Sequence, residues 1–226
     1  AYIETTYGVR SVTVPELIAA VDMVWCCVKP QQLPALLNDM VGVLPSHTCV
    51  VSIAAGVRIS TFLDLLGDDQ PVVRVMPNTP VLVGEGMSAF SKSHSVSDDY
   101  TAIITQMLSS VGRVVSVEEP LLDAITGLSG SGPAYCYRLA NVMASAVLDD
   151  GLAPKIALEC AAQTLIGAGK MLLETGLAPE ELIQNVSSPN GTTVAGMDVF
   201  NQSSIDHDLT AVIQRAVARS KELSEE

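Results

Sequence analysis

The stretch "SSPNGTT" at 187–193 gathers hydroxyls and turn residues where an Ala-, Leu- and Val-rich chain interrupts its helical pattern. Asn190-Gly191 supplies a tight turn, and Thr192 and Thr193 stand where the next helix begins. The backbone N–H groups of Gly191, Thr192 and Thr193, with the neighbouring hydroxyls, would receive a small anion favoured by the helix dipole. A carboxylate fits such a nest better than a diphosphate does. The same residues also suit a capped helix start with no ligand, so the motif alone leaves both readings open.

Four further stretches carry possible site chemistry. "VKP" ends the strongest apolar run: Pro30 stops it, backbone groups at Cys27 and Val28 can face a ligand, and Lys29 adds a positive charge. "IAAGV" at 53–57 ends the next run, and its small residues Ile53, Ala54 and Ala55 let a flat ring or a phosphate approach the backbone. "MPNTP" at 76–80 brackets Asn78 and Thr79 between two prolines, which stiffen the loop and hold both side chains in place. "GLSGSGPAY" at 127–135 alternates glycine with serine and enters a helix through Pro133. Ordinary turns are the competing explanation for each.

These stretches fall at the ends of elements that the hydrophobic pattern predicts. From 22 to 117, "DMVWCCV", "TCVVSI", "PVVRVM", "GMSAF" and "RVVSV" read as strands, several of them apolar without alternation, as in strands covered on both faces. Helical patterns separate most of them; the one at 95–112 has Ser97 as N-cap and ends at Gly112. The alternation predicts a doubly wound parallel sheet, whose strand ends face the ligand crevice. From about 120 the pattern is helical only, over 133–150, 154–175, 178–186, 193–202 and 206–225, with Pro133, Pro154 and Pro179 in first turns. The predicted organisation is an α/β part at 1–118 and an all-α part at 119–226. The second part is more apolar than a lone monomer needs, which predicts a helix-to-helix homodimer interface.

Composition narrows the function classes. With 226 residues and 48% hydrophobic content the chain can bury a real core, and Pro, Gly or charge breaks each apolar run before membrane-spanning length. A net charge of −13 with scattered acids argues against a nucleic-acid partner. The five cysteines show no CxxC or ligand spacing and read as buried free thiols of a reducing compartment. His47, His94 and His207 lie far apart in polar surroundings, so no metal is expected. Little proton-transfer equipment remains, and a reaction whose hard step belongs to a cofactor suits that. However, no G-x-G-x-x-G follows a strand; either the first half binds no dinucleotide or its first βαβ lies upstream of Ala1.

In their order, "VKPQQ", "SIAAGV", "VMPNTP", "GLSGSGPAY", "GKMLL" and "NVSSPNGTT" resemble pyrroline-5-carboxylate reductase from about Gly8 to the C-terminus. The resemblance implies reduction of the C=N bond of L-1-pyrroline-5-carboxylate to L-proline by NADPH or NADH. It also implies a Rossmann-type domain, here N-terminally incomplete, followed by an all-α dimerisation domain that can build higher rings, in a cytoplasmic enzyme. Thr193 inherits the hydroxyl that meets the ring nitrogen, with Ser188, Gly191 and Thr192 around the substrate carboxylate and Glu119 lining the substrate pocket. Cys27, Val28, Lys29, Pro30, Ile53, Ala54 and Ala55 inherit cofactor contacts, with Asn78 at the same edge and Asn185 near the nicotinamide ribose. Asn190 replaces the family's usual Gly, and Val14 stands where an Asn often touches the cofactor. Two other readings compete: a non-catalytic helical dimer that keeps an anion site, and a β-hydroxyacid-type dehydrogenase. The latter generally uses a lysine of its helical part, where only Lys155 and Lys170 stand, neither of them at a Gly-rich turn.

Overall fold

The computed structural model describes residues 2–225, which divide into two compact units. The first comprises the described residues up to Ser131 and from Arg215 onward, and the second Gly132–Gln214.

In the first unit, helices α1 (Tyr2–Tyr7) and α2 (Val14–Ile18) precede β1 (Met23–Cys26), α3 (Leu33–Met40), β2 (Cys49–Ser52), α4 (Ile59–Leu66) and β3 (Val72–Met76). They are followed by β4 (Gly86–Lys92), α5 (Asp98–Ser109), β5 (Gly112–Ser116) and α6 (Leu122–Ile125). The five strands lie in the order β1-β2-β3-β4-β5. β1, β2 and β3 pair in parallel, as do β4 and β5. β3 and β4 are antiparallel. The expectation of a parallel sheet therefore holds at every pairing except that one. Residues 77–85 hold a 3-10 turn instead of a helix, and so short a connection returns the chain antiparallel, because a parallel crossover needs a dozen or more residues.

Both faces of the sheet are covered, which explains why β2 is buried along its whole length. Val24, Val50 and Val72 pack with Leu37 and Met40 of α3 and Phe62 of α4. On the other face, Val51, Val73 and Phe90 pack with Ile104 and Leu108 of α5. The Ser97 hydroxyl caps α5 by accepting the Tyr100 N–H at 3.3 Å. The helix stops at Ser109, and Gly112 opens β5 rather than closing the helix.

The second unit is built from α7 (Gly132–Ser145), α8 (Pro154–Glu174), α9 (Pro179–Asn185), α10 (Thr192–Gln202) and the start of α11 (Ile205–Glu225). The predicted 133–150 helix ends at Ser145, since residues 146–151 form turns up to Gly151. Pro154 and Pro179 open their helices, where a missing N–H costs nothing. The buried core here is made of small residues, Ala140 and Ala144 of α7 against Ala157 and Ala161 of α8. Large apolar side chains stay outside: Tyr137, Val142, Ile156, Ile166 and Leu173 are each at least half exposed. α8 is long and apolar enough to cross a membrane by length and composition, although the broken apolar runs predicted otherwise. Its glycines and sparse charges do not lower mean hydropathy enough to exclude that.

Candidate active site

Because β1, β2 and β3 run parallel, the residues following them share one sheet edge. Cys27, Val28, Lys29 and Pro30 follow β1, Ile53, Ala54 and Ala55 follow β2, and Asn78 follows β3. β1 ends at Cys26, four positions before Pro30, so Pro30 does not itself stop the strand; it opens a 3-10 turn that leads into α3. Cys27, Lys29 and Ala55 are exposed along this edge. The Ile53 N–H donates to the Cys26 carbonyl at 3.3 Å, and the Ala54 N–H to the Ser52 hydroxyl at 3.2 Å. Asn78 is held at both ends of its amide: Oδ1 accepts the Met87 N–H at 2.8 Å, and Nδ2 donates to the Ser129 carbonyl at 3.1 Å. The rigidity expected of "MPNTP" thus comes from these two bonds as well as from its prolines.

The glycine-serine stretch forms a π-helical turn, Thr126–Gly130, closed by the Ser131 N–H on the Thr126 carbonyl at 2.8 Å. Its glycines serve packing. A Cβ on Gly127 would collide with Val217 of α11, and one on Gly130 would meet the Met76 methyl at 2.5 Å. The close approach expected there is to the protein's own side chains. Such π turns recur at functional sites.

In the second unit, α9 ends at Asn185, which is exposed. Asn190 has φ 59°, the left-handed conformation that Asn tolerates better than most residues. The turn closes when the Gly191 N–H donates to the Ser188 carbonyl at 2.9 Å. The Gly191 amide is therefore committed within the loop, a correction to the three-amide nest. A side chain on Gly191 would collide with the Ser188 hydroxyl. α10 starts at Thr192 with Gly191 as N-cap, and no side chain caps it. Its first-turn residues Thr192 and Thr193 thus stand at a helix start without a side-chain cap. Thr193 is half-buried and Thr192 exposed.

Glu119, of the first unit, has two protein partners. Its Oε1 accepts the Ile59 N–H at 2.8 Å and Arg74 Nη1 at 3.2 Å. Arg74 Nη2 lies 3.8 Å from Asp123 Oδ1, and that oxygen also accepts the Ser220 hydroxyl at 2.7 Å and the Ser224 hydroxyl at 3.2 Å. Sequence reasoning passed over Arg74, Asp123 and Ser220. The signal was present: a lone arginine in the doubly covered strand "PVVRVM" must find a carboxylate.

The cysteines divide differently from expectation. All are free, Cys26 and Cys49 are buried, and Cys27, Cys136 and Cys160 are exposed. Periodicity places a cysteine on a helix but does not reveal which helix face this chain buries by itself. His47 and His94 sit 3.8 Å from Asp22 and Asp69 at the surface. Among the described residues no His, Cys, Asp and Glu cluster could hold a metal ion.

A mostly parallel sheet covered on both faces is a Rossmann-type architecture, and a separate helical unit accompanies it. Residues 119–223 match the family model for pyrroline-5-carboxylate reductase dimerisation. A pyrroline-5-carboxylate reductase of Methanosarcina acetivorans is 41% identical over 202 residues, covering 89% of this chain and 75% of that protein. The solved structure of a pyrroline-5-carboxylate reductase from Coxiella burnetii superposes with TM-score 0.90 at 31% identity, over 99% of this chain and 84% of that one. The Plasmodium falciparum pyrroline carboxylate reductase with NADP bound superposes with TM-score 0.85 at 28% identity, over 95% and 81%. The chain belongs to the pyrroline-5-carboxylate reductase family.

Proposed function

We propose that this chain reduces the C=N bond of L-1-pyrroline-5-carboxylate to give L-proline, using NADPH or NADH. The observation that carries the reading is the uncapped start of α10 after the 187–193 turn, an anion cradle with a threonine hydroxyl beside it. Between Lys170 and His207 the sequence carries neither a histidine nor a lysine. Catalysis on this reading rests on orientation more than on acid strength.

The residues suit such a cofactor. Cys27 and Lys29 after β1 and Ala55 after β2 are exposed, Ala54 is buried, and Lys29 offers a cation to a phosphate. We assign Cys27, Val28, Lys29, Pro30, Ile53, Ala54, Ala55 and Asn78 to the cofactor edge of residues 1–118, and Asn185 to the ribose next to the ring. When bound, the nicotinamide supplies the hydride. The Thr192 and Thr193 N–H groups, with the Ser188 hydroxyl, hold the substrate carboxylate, favoured by the positive end of α10. The Thr193 hydroxyl donates a hydrogen bond to the ring nitrogen and orients the C=N bond, and the proton that this nitrogen gains in the reduction comes from solvent. We assign the substrate-binding and dimerisation role to residues 119–226, of which 132–214 form the second unit and the rest pack in the first, and the half-exposed apolar residues of α7 and α8 are the partner surface. A homodimer of this kind can associate further into a ring, and the enzyme works in the cytoplasm.

The test is an assay of the purified protein for pyrroline-5-carboxylate-dependent NADPH or NADH oxidation, with proline identified as product. Substrate-dependent oxidation supports the reading. Proline-free, substrate-independent behaviour at saturating cofactor leaves only a binding role for the anion cradle and refutes it.

A further inference from the structure

Residues 53–58 join β2 to α4 and include Ile53, Ala54 and Ala55 of the proposed cofactor edge. Two groups distant in sequence grip this turn. At its exit the N-cap residue Arg58 offers no side-chain bond to the helix, and the Glu119 carboxylate takes the Ile59 N–H instead, at 2.8 Å. At its middle Gly56 has φ +77°, and a Cβ there would stand 3.1 Å from Leu223 Cβ and 3.2 Å from the Leu223 carbonyl oxygen. The turn therefore lies directly against the end of α11.

Both grips belong to one polar ladder. Arg74 of β3 holds Glu119 and Asp123, and Asp123 holds Ser220 and Ser224 of α11, one turn apart on the helix that carries Leu223. Arg74 and Asp123 are buried. A buried ion network of this kind is a poor source of stability, because an apolar group of similar size often serves as well. What it supplies is geometry: Glu119 Oε1 ties α4 to β3, and Asp123 Oδ1 takes two hydroxyls of α11 while lying 3.8 Å from Arg74 of β3.

We propose that Glu119, oriented by Arg74 and Asp123, is a positioning residue for cofactor binding that fixes the 53–58 turn of the cofactor edge. The proposal rests on the assignment of Ile53 to Ala55 to the cofactor edge. This role differs from the substrate-pocket lining that the resemblance implies for Glu119. Its effect passes through the Ile59 N–H and the turn preceding it.

The experiment compares Glu119→Ala, Glu119→Gln and Ala55→Trp with the parent enzyme, measuring KM separately for NADPH and for pyrroline-5-carboxylate. Circular dichroism establishes that each variant is folded. Glu119→Ala is expected to raise KM for NADPH on the order of 10- to 100-fold, the effect of displacing a positioned element by about 1 Å, while KM for the second substrate stays within about twofold. Glu119→Gln keeps an Oε1 that accepts both Ile59 and Arg74, so it restores most of the NADPH affinity. A rise confined to KM for pyrroline-5-carboxylate makes Glu119 a substrate contact and overturns the proposal. An unchanged KM for NADPH in a folded Glu119→Ala also overturns it. If Ala55→Trp is equally silent, the cofactor edge itself is wrongly placed; if Ala55→Trp weakens NADPH binding, only the positioning role fails.

Discussion

Replacing Arg74 by methionine removes the charge while keeping most of the side-chain volume, so the loss reports electrostatics instead of a cavity. The Arg74 side chain is 5% exposed, and its partners Glu119 and Asp123 are 27% and 9% exposed. Removing one member of a buried pair costs about 3–5 kcal/mol, because the other charge is left without compensation. Here the abandoned acids are partly served. Glu119 keeps the Ile59 N–H and some water, and Asp123 keeps the Ser220 and Ser224 hydroxyls. The expected loss is therefore near the lower end, about 3 kcal/mol, a large part of the roughly 5–15 kcal/mol typical of a folded chain. Urea unfolding followed by circular dichroism at fixed protein concentration measures it. Asp123→Asn completes a double-mutant cycle, and the double variant should lose less than the sum of the single ones by at least about 0.5 kcal/mol. A loss below about 1 kcal/mol for Arg74→Met, with strict additivity in the cycle, refutes the reasoning.

Two further outcomes follow from single observations. Asn190 has φ 59°, so Asn190→Ala should destabilise the loop by about 1 kcal/mol and raise KM for the carboxylate substrate, while Asn190→Gly leaves kcat/KM near the parent value. Steady-state kinetics with thermal melts checks both, and identical behaviour of the two variants contradicts it. Burial pushes the Cys26 thiol from 9.0 to about 11 and Cys49 to about 12. The folded state binds those protons longer than the unfolded chain, so stability is intact below about pH 9 and falls as pH rises from there to 11–12. Urea midpoints across that window should drop less in Cys26→Ala and Cys49→Ala than in the parent, and an equal drop in all three rules out the cysteines as the source.

Much of the fold was legible because its signals are local. Apolar runs marked the strands covered on both faces, Ser97 marked the start of α5, and Pro154 and Pro179 marked the starts of their helices. The antiparallel pairing of β4 was not read, although the absence of a helical pattern between Met76 and Gly86 implied it. Side-chain commitments were the least visible. That Asn78 spends its amide on Met87 and Ser129, and Glu119 its carboxylate on Ile59 and Arg74, depends on partners 9 to 60 positions away. The tight turn at Asn190-Gly191 was legible, and the structure adds the left-handed conformation of Asn190. The capture of the Gly191 amide by Ser188 depended on the exact closure of that turn.

The most direct test of the account is kcat/KM for pyrroline-5-carboxylate in Thr193→Ala beside Thr193→Ser. Loss of one positioned donor predicts a fall of roughly tenfold to a thousandfold for alanine, with serine recovering most of it. A Thr193→Ala enzyme as fast as the parent contradicts the assignment.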